Sequence, residues 1–308
     1  MAVAQIMGIT AQEGLHLAKF LSSSGYEVQC VVRQTSSLSR SRIDHLRHGS
    51  PALWGPLRPR LYHGDLNDAG SLRRLVRAIK PAEVYNLAAQ SHVGVSLDQT
   101  EYTADAHALG TTRPPEALRN VEAALQCHQA NTSDLFGATP PFQTDESPFR
   151  PRSPYSVAQL YADWMTVNYR EADGMFADNA ILSHDESPWH RENLLTRSAT
   201  GSVAASLKAG PKLRPGSLHV RRDRGHAGDY VEAIRLMLQQ AAPGDYLIGT
   251  GIGRSVQDMV ELAFRLVGRG HVVSNLPPVR PTEAPDLAGL RERPSGSWNS
   301  IPESHSLQ

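Results

Sequence analysis

Two short polar stretches carry side chains that could move protons in a reaction. Thr132 and Asp134 directly follow a strand-like run, and Tyr155 begins a helical pattern that continues through Gln159. Residues four apart share one helix face, so the phenol and the carboxamide are expected side by side. A phenol, a carboxylate and a hydroxyl near one another are typical of general acid–base catalysis. Because a free tyrosine titrates at about pH 10, this phenol needs stabilising neighbours to act as a base near neutrality.

A glycine-rich turn near the N-terminus has the composition of a phosphate-binding loop. It reads Gly8-Ile-Thr-Ala-Gln-Glu-Gly14 and lies between a strand-like run and a helical pattern. Small residues there let the backbone approach a pyrophosphate at a helix N-terminus. We therefore assign Gly8, Thr10, Ala11 and Gly14 to cofactor binding. Ala11 replaces the middle glycine of the usual spacing, so we expect its methyl group at the tightest point of the turn, weakening cofactor affinity.

The end of the second strand-like run indicates which dinucleotide is bound. An acidic residue there would bind the ribose 2′-hydroxyl of NAD, but the chain has Arg33 followed by hydroxyl residues that include Ser36. A cation and hydroxyls suit a 2′-phosphate instead. The predicted cofactor is NADP.

The elements that must position these residues alternate in the first half of the chain. The predicted strands are Ala2–Met7, Glu27–Val32, Arg60–His63, Glu83–Ala88 and Leu125–Ala130. The predicted helices are Gly14–Ser24, Asp68–Ile79, 153–172, 229–240 and 255–268. This alternation predicts an α/β fold with a doubly wound parallel sheet. Loops after the carboxyl ends of such strands line a dinucleotide, so we add to the cofactor site Asp65, Leu66, Leu87, Ala88, Ala89 and Ser91.

Composition argues against several other classes of protein. The 308 residues carry 31 basic and 31 acidic side chains, so no net positive charge favours nucleic acid. No segment has the roughly 20 apolar residues of a membrane helix, and the N-terminus lacks a signal-peptide pattern, so we expect a cytoplasmic protein. No cluster has zinc-ligand spacing. Cys30 and Cys127 are expected as buried free thiols, and most of the 13 histidines are expected at the surface.

Longer runs give the chain a family resemblance. The runs GDLND, VYNLAAQSHV, EYTAD, TDESPFRPRSPY, ENLLTR, RRDRGHAGDYVEAIRLMLQ and RPTEAPDLAG occur in the order found in GDP-mannose 4,6-dehydratases. The resemblance implies a Rossmann domain at 1–180 and a smaller C-terminal sugar-nucleotide-binding domain at 181–290, some of whose segments return to the Rossmann core. It also implies NADP, a GDP-hexose substrate and a homo-oligomer, either a dimer or a tetramer. The polar tail at 291–308 is expected to be disordered.

The resemblance also assigns roles to individual residues. Tyr155, as tyrosinate, takes the proton of the sugar 4-hydroxyl as hydride leaves C4, Thr132 hydrogen-bonds the 4-oxygen, and the carboxylate at position 134 removes the C5 proton. Loss of the C6 hydroxyl as water and return of hydride to C6 make the net reaction a dehydration. Tyr102, Tyr155 and Gln159 are implied cofactor contacts. The implied substrate contacts are Gln90, Ser91, His184, Glu186, Asn193, Thr196, Arg197, Arg222, Arg280 and Glu283.

Two departures from the family pattern lie among the reacting groups. The family lysine is Gln159 here, which can hydrogen-bond a ribose but carries no charge to lower the pKa of Tyr155. The family glutamate is Asp134, whose carboxylate reaches one methylene less far. A misplacement of roughly 1 Å can cost about 10²-fold in rate.

Further departures concern the substrate side and one helix. His184-Asp185 replaces the family's Asn-His, and Trp189 stands where the family has an arginine. Pro114 and Pro115 fall inside a helix of the family fold, where each removes a hydrogen bond. We therefore expect that helix to break or the fold to be weakened.

Three functions stay open on this sequence. The first is an NADP-dependent GDP-hexose 4,6-dehydratase, active or impaired. The second is a catalytically degenerate nucleotide-binding paralogue, which Gln159 favours. The third is a sugar-nucleotide epimerase on the same scaffold, which Asp134 disfavours because that reaction needs no carboxylate base there.

The cofactor preference is directly testable. Because Arg33 suits a 2′-phosphate, the protein should bind NADPH more tightly than NADH, and Arg33→Ala should remove the difference. Titration calorimetry with both cofactors measures it. Equal affinities in the unmodified protein would show that Arg33 does not select the cofactor.

Overall fold

Seven parallel strands form the central sheet of this computed structural model, which describes residues 1–33, 43, 58–119, 125–188, 217–267 and 286–287. The strand order is β3-β2-β1-β4-β5-β6-β9, and every neighbouring pair is parallel. The strands are β1 (Val3–Met7), β2 (Glu27–Val32), β3 (Arg60–His63), β4 (Glu83–Asn86), β5 (Gln126–Thr132), β6 (Phe176–Leu182) and β9 (Asp245–Ile248). This confirms the predicted α/β class and its doubly wound parallel sheet.

Four more strands form a smaller sheet. They are β7 (His184–Glu186), β8 (Arg221–His226), β10 (Gly253–Ser255) and β11 (Asp286–Leu287). Strand β8 lies at the centre, antiparallel to β10 and parallel to β7 and β11. Strand β9 returns from this region to the edge of the main sheet. The domain boundary at 180/181 stays a prediction.

Helices cover both faces of the main sheet. They are α1 (Gln12–Ser23), α2 (Ala69–Ile79), α3 (Val93–Asp98), α4 (Thr100–Thr103), a π-helix (Ala104–Leu109), α5 (Gly110–Leu118), α6 (Pro154–Asp173), α7 (Ala227–Leu238) and α8 (Val256–Val267). On one face the apolar sides of α1 and α7 pack on β1, β2 and β6. On the other face α2 and α5 pack on β1, β2, β4 and β5. Helices on both faces bury most residues of β1, β2, β4, β5 and β6, the polar ones included.

Two local expectations are corrected by the packing. The chain stays helical through Pro114 and Pro115, and the N–H of Arg119 donates to the Pro115 carbonyl at 2.8 Å. Both prolines are buried, so tertiary packing outweighs their poor helix propensity. The expectation of surface histidines is wrong for His107 and His128, which are 1% and 0% exposed.

The expectations for the cysteines, the C-terminal tail and membrane helices have different outcomes. Cys30 and Cys127 are buried free thiols, as predicted. The tail at 291–308 lies outside the described residues. Within the described part of the chain, no helix is both long enough and apolar enough to cross a membrane.

A buried polar network joins α6 to strands β5, β6 and β9. Asn131 donates to the Asp163 carboxylate at 2.8 Å and to the Asn179 side-chain oxygen at 3.0 Å. Asn179 in turn donates to Asp245 at 2.8 Å, and Arg170 binds the same Asp245 through two nitrogens. Burial, and then the nearby charge of Asp245, raise the pKa of Asp163 to about 7.

The raised pKa of Asp163 gives stability a definite pH dependence. An unfolded aspartate titrates at about 3.9, so between about pH 4 and pH 7 the folded state binds more protons, and stability falls as pH rises through that window. Asp163→Asn should reduce this fall in the free energy of unfolding. For a pKa shift of about three units, the fall is at most about 4 kcal/mol. Urea unfolding at pH 5 and pH 8 measures it, with the exposed Asp98→Asn as the matched control. An unchanged pH slope in Asp163→Asn would contradict the assignment.

Candidate active site

The glycine-rich turn packs too closely on its neighbours to accept side chains at its two ends. Gly8 has a φ of +94°, and a Cβ there would lie 2.7 Å from the Leu87 carbonyl carbon. A Cβ on Gly14 would lie 2.3 Å from the Gly8 oxygen. The first turn of α1 therefore begins directly against β1 and the end of β4, leaving backbone N–H groups at its N-terminus for a phosphate.

Ala11 lies at the start of the first helix, and its effect on cofactor affinity stays a prediction. Ala11 is the N-cap of α1, in extended backbone with φ −76° and ψ 164° that any residue adopts. Its N–H donates to the Gly8 carbonyl at 2.9 Å. Gly8 and Gly14, where a Cβ would collide with backbone, keep glycine.

Two predicted cofactor residues from distant parts of the chain lie together at the end of β2. Arg33 donates through Nη1 to the Tyr102 hydroxyl, and both side chains are exposed. After β3, Asp65 accepts the Asn67 N–H at 3.0 Å, and Arg113 donates to the Leu66 carbonyl at 2.7 Å. Arg33 follows β2, and Asp65 and Leu66 follow the adjacent strand β3, so all three lie at the same edge of the sheet.

The segment after β4 passes next to the glycine-rich turn. The Leu87 N–H donates to the Met7 carbonyl at 3.0 Å, which ties this segment to the end of β1. Leu87 and Ala88 are partly buried against the two core clusters, whereas Ala89 and Ser91 are exposed. Gln90 accepts the His92 N–H at 2.6 Å through its side-chain oxygen.

Helix α6 begins with a strong capping arrangement that fixes Tyr155 one residue inside it. Ser153 is the N-cap, Pro154 occupies the first turn, and Ser153 and Ser156 each bond the backbone N–H of the other. Helix α6 packs on β5, β6 and the π-helix. Tyr155 and Gln159 consequently face the carboxyl end of β5 from the interior, with 7% and 3% exposure.

The predicted chemical groups converge on the Tyr155 hydroxyl. Gln159 Nε2 donates to it at 2.9 Å. Burial raises the pKa of Tyr155 well above its usual value, and the negative charge of Asp134 adds to this. Hydrogen bonds from Gln159 and Thr132 act in the opposite direction and lower the pKa. The structure therefore brings Thr132, Asp134, Tyr155 and Gln159 together.

One residue of this pocket was missed by the sequence analysis. His107, in the π-helix, lies with its ring centroid 5.6 Å from that of Tyr155, at an interplanar angle of 49°. Burial lowers its pKa to about 4, and the Gln159 side chain opposes that effect. The sequence carried no signal for it, because TADAHALG shows neither ligand spacing nor a motif at the histidine.

Three of the predicted substrate residues, His184, Glu186 and Arg222, lie on the paired strands β7 and β8. His184 pairs in register with Arg224, and Glu186 accepts from Arg224 Nη1 at 2.6 Å. Arg222, two residues earlier on β8, is 5% exposed and donates to the Arg221 carbonyl at 2.8 Å. Arg224 was missed by the sequence analysis, although alternation along β8 places it on the face of Arg222.

Gln12 connects this substrate region to the phosphate-loop region. Its Nε2 donates to the Asp185 carbonyl at 2.7 Å, and its Oε1 accepts from the Ser187 hydroxyl at 2.8 Å. Burial, and then the charge of Glu13, raise the pKa of Asp185 well above its usual value. The first turn of α1 therefore contacts Asp185 and Ser187, which lie next to the predicted substrate residues His184 and Glu186 in the chain.

Several predicted positions cannot be placed. They lie outside the described residues and are Ser36, Trp189, Asn193, Thr196, Arg197, Arg280 and Glu283. In the described ranges, no three His, Cys, Asp or Glu side chains group as a metal site.

Solved structures with a similar fold come from enzymes named for sugar nucleotides. A dTDP-glucose 4,6-dehydratase of Streptomyces venezuelae superposes with a TM-score of 0.80 at 20% identity, over 96% of this chain and 92% of that one. A UDP-glucose 4-epimerase of Thermus thermophilus in complex with NAD gives a TM-score of 0.77 at 23% identity, over 94% and 90%. At these identities the likeness shows the fold.

Sequence comparisons are more specific. The GDP-mannose 4,6 dehydratase family model matches residues 6–286. The chain is 44% identical to GDP-mannose 4,6 dehydratase 1 of Arabidopsis thaliana over 93% of this chain and 81% of that protein. It is 41% identical to the GDP-mannose 4,6 dehydratase of Homo sapiens over 93% and 83%. With most of its length matched at this identity, the chain belongs to the GDP-mannose 4,6-dehydratase family.

Proposed function

We propose that the chain catalyses the NADP-dependent dehydration of a GDP-hexose, of the GDP-mannose type, to a 4-keto-6-deoxy sugar. The observation that carries this proposal is the convergence of Thr132, Asp134 and Gln159 on the Tyr155 hydroxyl in a chain of this family. A phenol with a hydroxyl and a carboxylate beside it has the groups needed to deprotonate a sugar at two positions.

The residues present fit a dinucleotide with a 2′-phosphate. A Cβ at Gly8 or Gly14 would collide with backbone, so the turn keeps the narrow form that lets phosphate oxygens reach a helix N-terminus. Arg33 and Tyr102 meet at the end of β2, where a cation and a hydroxyl would hold the 2′-phosphate. Bound there, NADP would accept the hydride from C4 and return it to C6.

The chain's own residues would carry the protons. Tyr155 Oη takes the proton of the sugar 4-hydroxyl while Thr132 Oγ1 hydrogen-bonds the 4-oxygen. The 4-ketone acidifies the C5–H bond, and the Asp134 carboxylate removes that proton. The electron pair forms a C5–C6 double bond as the C6–O bond breaks, and the hydroxide takes the proton held by Asp134 and leaves as water. When the hydride reaches C6, Tyr155 gives its proton to C5, so both residues return to their starting protonation states.

A specific observation favours the competing function, a nucleotide-binding protein without turnover. Burial raises the pKa of Tyr155 first, and the next largest effect is the charge of Asp134. The groups that lower this pKa most, Gln159 and Thr132, are neutral hydrogen-bond partners. Such a pocket holds the phenol in its neutral form, which hydrogen-bonds but is a weak base.

Incubation with GDP-mannose and NADP, followed by mass spectrometry, distinguishes the functions. A dehydratase yields a product lighter by one water, and Tyr155→Phe should abolish it because the phenyl ring cannot take the 4-hydroxyl proton. Tyr161→Phe, at an exposed position of the same helix, is the matched control. Unchanged substrate with NADPH still bound would support the binding protein, and an isomer of unchanged mass would support epimerisation.

The pH dependence of the rate tests the role of Gln159. Because the tyrosinate is the base and its pKa is raised, the fraction of active enzyme increases with pH, so the rate should climb toward alkaline pH. Gln159→Lys adds a cation that lowers the pKa of Tyr155. We expect at least a tenfold gain at pH 7, about 1.4 kcal/mol of barrier, and a larger gain with Asp134→Glu, which restores the longer carboxylate.

The control for added charge is Gln99→Lys, an exposed position just beyond α3, which should leave the pH–rate profile in place. An unmodified protein that is already fast and flat between pH 7 and pH 9 would mean that another group supplies the charge.

A further inference from the structure

Three buried polar atoms beside Tyr155 have no hydrogen-bond partner of normal geometry in the described part of the chain. They are both ring nitrogens of His107 and the side-chain oxygen of Gln159. His107 is 1% exposed and Gln159 3% exposed, so bulk water does not reach them. Buried polar atoms in native proteins almost always have partners. The imidazole and the carboxamide oxygen are therefore expected to bond each other or a bound molecule.

The side chains of Gln159 and His107 both contact Tyr155. Gln159 uses Nε2 to donate to Tyr155 Oη at 2.9 Å, so its Oε1 is the free end of the carboxamide. The His107 ring packs against the Tyr155 ring with centroids 5.6 Å apart. The Gln159 side chain raises the pKa of His107 against the effect of burial, as an oxygen acceptor facing the ring would. The carboxamide thus lies between the phenol and the imidazole.

The local helix geometry supports a role at this position. His107 belongs to the π-helix Ala104–Leu109, between two α-helical segments. π-Helical turns are rare and often occur at functional sites. Helix α6 packs against this π-helix, so His107 faces α6 at the level of Tyr155.

We propose that His107 is a positioning residue for Tyr155, whose neutral ring N–H donates to Gln159 Oε1 and so holds the Nε2 edge of the carboxamide against Tyr155 Oη. A free carboxamide can turn over and present either end. An oxygen turned toward the phenol would repel the tyrosinate, whereas an N–H stabilises it. The imidazole selects the orientation that favours the base. This inference rests on the proposed dehydratase function.

Because carboxylates act on Tyr155, the orientation of the Gln159 carboxamide affects how well the tyrosinate is stabilised. The charged groups that act on Tyr155 are Asp134 after β5 and Glu13 in α1, and both are carboxylates that disfavour the tyrosinate. The groups that face His107 are Gln159 and Tyr155, both from α6. Burial keeps the pKa of His107 at about 4, so its ring is neutral at pH 7 and retains one N–H to donate.

The kinetic test is a double-mutant cycle with His107→Phe, which keeps the ring but removes both nitrogens. In the unmodified background we expect the rate at pH 7 to fall about tenfold, less than the roughly 10²-fold cost of a full misplacement. The alkaline rise should move to higher pH, with KM for GDP-mannose unchanged. In the Gln159→Lys background the same change should have little effect, because no carboxamide is left to orient. His63→Phe, at an exposed histidine, is the control.

An equal loss in both backgrounds, without a shift of the pH profile, would assign His107 a purely structural role and overturn the inference.

A second measurement does not depend on turnover. In protein labelled with ¹⁵N-histidine and bound to NADPH, His107 should show one ring N–H protected from exchange, and Gln159→Met should shift it. A His107 signal unmoved by Gln159→Met would overturn the inference, even if GDP-mannose is not turned over. A shifted signal without turnover would support it and reject only the proposed function.

Discussion

Backbone-to-backbone contact at the first turn determines the geometry of the sheet's carboxyl edge. Gly8 touches the end of β4 and Gly14 touches Gly8, at distances that no Cβ could occupy. This contact sets where α1 begins, and therefore where its free N–H groups point. It also places Gln12 in the first turn so that its side chain bonds both Asp185 and Ser187. The phosphate loop, the end of β4 and the β7 segment are thus held together by a few direct contacts, and a shift in one would move the others.

At this edge of the sheet, the groups with the largest effects on the pKa of Tyr155 are neutral or acidic. Burial and Asp134 raise the pKa of Tyr155, and among the described residues the hydrogen bonds of the neutral Gln159 and Thr132 side chains lower it. A hydrogen bond to a charged group is worth more than one between neutral groups, but it does not replace a full charge at the same distance. Orientation therefore matters more here than in a pocket with a cation, since a neutral amide stabilises an anion only while its N–H faces it.

Strong local signals made most of the fold predictable. Glu27–Val32 and Arg60–His63 were predicted with the bounds observed. For Glu27–Val32 the reason is an apolar run between polar turns. Thr132, Asp134 and Gln159 were predicted beside Tyr155, because one motif directly follows β5 and the other begins the helix that packs on β5. The π-helix could not be predicted, since its hydrogen-bond pattern depends on packing against α6 rather than on local propensity. The same tertiary packing keeps Pro114 and Pro115 helical, and it buries His107 and His128, whose residue type alone suggested the surface.

Cofactor binding and proton transfer make different demands on position 159. A carboxamide offers two N–H donors and an oxygen with two lone pairs. One N–H is used by Tyr155, and with the oxygen directed to His107 the second N–H stays available for a ribose hydroxyl. Gln159 thus offers two of the three donors of a lysine and lacks its charge. Because hydrogen bonds to neutral hydroxyls need no charge, we expect cofactor affinity to depend little on the exchange. The stability of the tyrosinate depends on that charge, so we expect the exchange to act on the rate of the first proton transfer.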